Sequence, residues 1–153
     1  MTYTYSLTSG PFVLRSDGAF IPSDPANMDW QTYQMWLATG NIPTPRPSPT
    51  LAQQAAAISS VAVVSSSTST LNGNYGCDPA SLQRVANTLS AIAVNLSFAT
   101  TTIPWPDTSG TPHTFSVAQF KSLAQTLLLY EQALASLMAG ASGSLPTVPL
   151  TIP

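Results

Sequence analysis

The sequence predicts an α+β fold: a small N-terminal β element with an aromatic helix, a proline-rich linker, then a mainly helical lobe carrying short β-hairpins. Three observations carry this expectation. Aromatic and polar residues alternate with period two at the start of the chain. Helix-start residues recur ahead of apolar stripes at helical spacing. Asn41 to Pro49 (NIPTPRPSP) sets four prolines in nine residues between an aromatic region and an Ala, Ser and Leu-rich one. The expected organisation is a docking lobe at 1–41, a linker at 42–49, a helical lobe at 50–139 and an extended arm at 140–153. With 153 residues and 44% apolar content, the chain can bury a core without disulfide staples.

Taken in order, Thr2 to Leu7 alternates Tyr3, Tyr5 and Leu7 with small polar residues and reads as a strand with one buried face. Phe12 to Arg15 resumes as a strand, Ser16-Asp17-Gly18 turns, and Ala19 to Pro22 returns. Asp24 and Pro25 are expected to cap and open a helix, with Trp30, Tyr33, Trp36 and Leu37 on one stripe and Gly40 as the stop. Thr50 caps a second helix through Leu51, Ala55, Ile58 and Val61. Val61 to Thr70 favours strand, with a continuous helix to about Thr68 as the competing reading. Asn72-Gly73-Asn74 is a turn signal before a short strand at Tyr75 to Cys77. Asp78-Pro79 starts a helix to Asn95. Ala99 to Trp105 and Thr111 to Phe115 form a hairpin around Pro106 to Gly110. Ser116 caps the last helix, whose apolar face includes Phe120, Leu123, Leu127, Leu134 and Met138. Leu128 and Leu129 widen that face beyond what one core requires, which predicts a second packing surface. The tail, Ala141 to Pro153, is uncharged, apolar and proline-rich, and reads as an extended arm.

Only 7% of the residues are charged, against about 25% in an ordinary soluble domain. So neutral a surface favours association with partners or further copies. Arg15, Arg46, Arg84 and Lys121 are the only basic residues, and they are scattered. Nucleic-acid binding requires clustered basic side chains, so no such partner is expected. The lone Cys77 rules out an internal disulfide and is expected as a small half-buried side chain. The opening MTYTYSLTSG lacks the basic and apolar regions of a signal peptide. No apolar stretch approaches the ~20 residues of a membrane span. The expectation is a soluble protein made in a cytoplasm.

The residues offer little for catalysis. His113 is the only histidine, expected as an exposed hairpin residue beside Pro112 with Asp107 across the turn. A metal centre needs several ligands together, and Asp17, Asp24, Asp29 and Asp78 have turn or helix-start roles. Asp107 and Glu131 have no local role, and nothing in the sequence brings them together. No catalytic, metal or cofactor residues are predicted. Trp30, Trp36 and Trp105 are expected in core or interface packing. Trp105, flanked by prolines, is the one best placed to stack on a sugar.

Arg15-Ser16-Asp17-Gly18-Ala19, Ile21-Pro22, Asp24-Pro25-Ala26-Asn27, Asp29, Tyr33, Trp36-Leu37-Ala38, Gly40-Asn41 and Pro43 together resemble a segment of tailed-bacteriophage tail-fibre and tail-fibre assembly proteins. The remainder is similar, more loosely, to a tail-fibre-associated domain of unknown function. The resemblance implies a phage tail context, with other tail proteins as partners and the virion as location. It implies no reaction.

The sequence therefore leads to a structural or adaptor subunit of a phage tail, in multiple copies, at the fibre, baseplate or tail tip. The alternatives are a fibre-assembly chaperone not retained in the virion and a module that binds host surface glycan. The residues expected to meet partners are Trp30, Tyr33, Trp36, Trp105, Leu128, Leu129, Leu145, Val148, Leu150 and Ile152.

Overall fold

The computed structural model describes residues 3–94 and 102–153. The chain is α+β and divides into two compact units, Met1–Ser48 and Pro49–Pro153.

The first unit is an antiparallel meander of β1 (Tyr5–Leu7), β2 (Phe12–Arg15) and β3 (Phe20–Pro22), covered by helix α1 (Met28–Ala38). Leu7 pairs with Val13 and Val13 with Ile21, so the period-two pattern aligns apolar residues on one face. Tyr5, Val13, Ile21 and Tyr33 are the buried core, with Tyr3, Trp30, Trp36 and Leu37 packed around them.

The helix entry differs from expectation. Asn27, not Asp24, is the N-cap: its side chain accepts from Trp30 N at 3.1 Å. Asp24 instead closes the preceding turn, accepting from Ala26 N at 2.9 Å through its side chain and from Asn27 N through its carbonyl. An aspartate–proline pair serves a turn as readily as a helix start. Gly40 follows the helix at φ +88°, a conformation that favours glycine. The expected linker begins inside the fold. Thr44 donates to Tyr5 O at 2.8 Å and accepts from Leu7 N at 2.9 Å, pairing parallel to β1.

The second unit holds α2 (Leu51–Ala56), β4 (Ser60–Ser65), a 3-10 turn (Ser69–Leu71), β5 (Gly73–Gly76), α3 (Pro79–Ala93), β6 (Thr102–Pro106), β7 (Pro112–Ser116), α4 (Val117–Met138) and β8 (Leu150–Ile152). Helix starts at Thr50, Asp78 and Ser116 are as read from the sequence. Thr50 and Ser116 form capping boxes with Gln53 and Gln119, and Asp78 accepts from Ala80 N and Ser81 N. α2 is short, and strand replaces the alternative of a helix to Thr68. The strand itself stops at Ser65, and the reversal uses the 3-10 turn rather than Asn72-Gly73-Asn74, since Gly73 and Asn74 already pair with Val63 and Ala62. The expected end of α3 at Asn95 and strand start at Ala99 lie outside the described residues.

β6 and β7 pair through Trp105↔His113 and Ile103↔Phe115. Asp107 N donates to Thr111 O at 3.0 Å, which fixes 103, 105 and 107 as the hydrogen-bonded positions. Pro104 and Pro106 therefore fall where their missing N–H faces away from β7, the one arrangement a strand tolerates.

The largest correction concerns the tail. Residues 140–153 are not a free arm. β8 pairs parallel with β4 as the third strand of a β5-β4-β8 sheet. Ser66 N donates to Ile152 O at 2.8 Å and the Ser65 hydroxyl to Pro153 O at 3.0 Å. Ile152 joins the core formed around α4 by Val63, Leu71, Tyr75, Phe115, Phe120, Leu123 and Leu127.

Candidate interface

The expected partner-contacting residues separate into surface and core. Leu128 and Leu129 lie on the outer side of α4, 42% and 59% exposed. The apolar stripe of α4 is three residues wide at this level, and Leu123, Ala124 and Leu127 already fill the inward side. With Leu89 of α3, and with Lys121, Gln125 and Gln132 between the two leucines on α4, they line an open groove of about 420 Å³. Val148 is also exposed.

Of the others, Tyr33, Trp105 and Ile152 are buried, and Trp30, Trp36, Leu145 and Leu150 are half-buried. Trp105 is 9% exposed, with its ring edge-on to Phe120 at 5.1 Å and the Arg84 guanidinium 4.9 Å above it. It sits inward because alternation along β6 turns 103 and 105 to the core. It therefore offers no open face for a sugar. Tyr33 is buried under α1, against Tyr5 at 4.9 Å and Trp30 at 5.2 Å. Trp30 and Trp36 are half-buried in the same aromatic group, Trp36 at 5.0 Å from Tyr5. Ile152 is core, and Leu145 and Leu150 are half-buried against it. The small lobe covers its aromatic helix only in part: Tyr33 is the one buried residue of α1, and Trp30, Trp36 and Leu37 are half-buried around it.

Sequence reading missed the opposite side of α1. Met28 and Met35 are 81% and 62% exposed. They stand at i and i+7 on the face away from Tyr33. The alternation signal was available, but the aromatic stripe dominates the helix. Phe20 is exposed as well, edge-on to Phe12 at 5.4 Å on the uncovered side of the meander.

His113 is buried, not exposed, because β7 alternates His113 and Phe115 inward. Its Nδ1 lies 2.6 Å from Thr70 O, and its Nε2 lies 3.5 Å from Asp107 Oδ2. Both ring nitrogens thus face acceptors, and neither is presented to solvent. Asp107 Oδ1 accepts from Ser109 N, Ser109 Oγ and Thr111 N. The Ser109 hydroxyl is the main cause of its pKa lying below the usual carboxylate value, with the Thr111 N–H and His113 adding to it. Gly73 packs so close that a Cβ there would lie 3.2 Å from His113 Nε2. The group joins the β6–β7 turn to the 3-10 turn and to β5. The nearby Tyr75 phenol donates to Leu71 O at 2.6 Å, and burial, with Asp107, pushes its pKa up to about 12.

Cys77 is buried rather than half-buried. Burial and the Asp78 charge push its thiol pKa up, the opposite of what a nucleophile needs. Among the described residues, no group of three or more His, Cys, Asp or Glu is placed to hold a metal ion, and no helix is long and apolar enough to cross a membrane.

Residues 48–138 match the family described as Domain of unknown function (DUF4376). The chain belongs to that family. No curated protein matches the chain, and no solved structure does.

Proposed function

We propose that the chain is a structural or adaptor subunit of a bacteriophage tail, acting by protein–protein assembly and not by catalysis. The observation that carries this reading is the pair of uncovered apolar surfaces, Leu128–Leu129 on one unit and Met28–Met35 on the other. Exposed apolar surface of this kind marks docking sites, and so few charges lower the desolvation cost of covering it. The tail context rests on the resemblance of Arg15 to Pro43. The glycan-binding alternative loses its best residue, since Trp105 is core. The chaperone alternative draws on the same N-terminal segment as the tail reading.

Mass spectrometry of purified tailed particles separates the two. Presence at a fixed ratio to known tail proteins is expected. Absence from intact particles, with the protein abundant in infected cells, would overturn the structural role and favour the chaperone.

A further inference from the structure

We infer that a cavity between α2, α4 and the start of α3 binds an alkylammonium group, its apolar walls taking the chain and Glu131 taking the charged head. This goes beyond the assembly reading and stands without it. The cavity measures about 270 Å³, the small end of the range for ligand pockets. Ala55, Ile58, Pro79, Leu134 and Met138 make it mostly apolar. Asp78 and Glu131 line it as well, and no basic residue does. Glu131 is half-buried on α4, and among the described residues no hydrogen bond or ion pair engages its carboxylate.

The negative charge of the cavity has no answer within this unit. Arg84 lies over Trp105, and Lys121 stands on α4 about 15 Å before Glu131. Asp78 is already engaged as the cap of α3: its Oδ1 accepts from Ala80 N and Ser81 N, and its Oδ2 from the Ser81 hydroxyl at 2.6 Å. Glu131 is thus the acceptor left for a ligand. Ala55 and Ala56 bring the last turn of α2, which has no basic side chain and adds its negative dipole end. Cys77 also lines the cavity, 4% exposed, and its thiol has no hydrogen-bond partner among the described residues. Burial raises the thiol pKa first, and the Asp78 and Glu131 charges raise it further, so both charges are felt where the thiol sits. A cation with an apolar tail meets every one of these groups. An anion would face two carboxylates, and a neutral chain would shield Glu131 from water without pairing it.

Titration of the full chain with hexylammonium, hexan-1-ol and hexanoate, followed by NMR, tests this. Hexylammonium is expected to saturate at roughly millimolar concentration and to bind at least tenfold tighter than hexan-1-ol, with no binding of hexanoate. Glu131→Gln should lower hexylammonium affinity about tenfold, to the level of the alcohol, and leave the alcohol unchanged. Ala56 is exposed and lines the cavity, so Ala56→Phe should block both probes. Neither position is in the core, and far-UV circular dichroism of each variant should match that of the original chain. Nα-acetyl-lysine amide forms a second arm: affinity equal to that of hexylammonium assigns the site to a lysine side chain, and weaker binding assigns it to a free amine. Absence of saturable hexylammonium binding would overturn the inference. So would equal affinity for all three hexyl probes, a Glu131→Gln variant that keeps the preference for the ammonium, or binding undiminished by Ala56→Phe. Each of these failures leaves the test on purified particles unaffected.

Discussion

Replacing Ile152 with alanine asks whether the C-terminal strand belongs to the fold. Ile152 is 1% exposed and packs in the core around α4. Truncating a buried isoleucine to alanine costs about 2–5 kcal/mol, the higher end where the site cannot collapse. Here β4 and α4 hold the walls apart, so about 3 kcal/mol is expected. A domain of this size loses ~4 °C of melting temperature per kcal/mol, giving a fall of about 12 °C. Val148→Ala, two residues before the strand at an exposed position, should change stability by less than about 0.5 kcal/mol. Urea and thermal melts by circular dichroism compare the two. If Ile152→Ala is as harmless as Val148→Ala, the tail is an arm after all and the three-stranded sheet is wrong.

Three further outcomes follow from the packing. A Cβ at Gly76 would clash with Ser81 Oγ and lie 2.8 Å from Ser81 Cβ; Gly76→Ala should therefore cost about 1–3 kcal/mol in a urea melt, and adding Ser81→Gly should restore part of it. The carboxyl groups of Asp17, Asp78 and Asp107 have pKa values below their unfolded value, held there chiefly by Arg15, the Ser81 hydroxyl and the Ser109 hydroxyl respectively. Their contribution is complete above the ordinary carboxylate range and is lost as pH falls through their lowered values. Melting temperature should therefore drop on acidification below about pH 4, and Asp107→Asn should flatten that drop. Finally, Cys77 should react with a thiol reagent slowly in the native protein and quickly in urea, since burial both hides the thiol and keeps it protonated. Rapid native labelling would contradict its place in the core.

The parts of this structure legible in the sequence are local. Thr50, Asp78 and Ser116 each have their capping geometry within three residues, and period two along β6 and β7 marks one face of each strand. What escaped is non-local. The parallel pairing of Val63 with Leu150 joins residues far apart in the chain, so a proline-rich tail gave no sign of it. His113 looked exposed because a hairpin histidine is buried only if something packs over it, and that something is Thr70 in a distant turn. On the candidate surface, the doubled leucine at 128 and 129 was readable because it exceeds the stripe α4 needs. Met28 and Met35 were not noticed because Trp30, Tyr33 and Trp36 define the helix first. Buried aromatics such as Trp105 look the same in sequence whether they face a core or a partner.

Coverage of these apolar surfaces in the proposed assembly decides the role of the chain most directly. A cryo-electron microscopy map of the proposed assembly, a phage tail that carries this chain, measures this at a resolution that shows side chains. Leu128 and Leu129 should lie buried in a subunit contact, with Met28 and Met35 covered as well. Finding this chain in the tail with all four residues facing solvent would contradict the account.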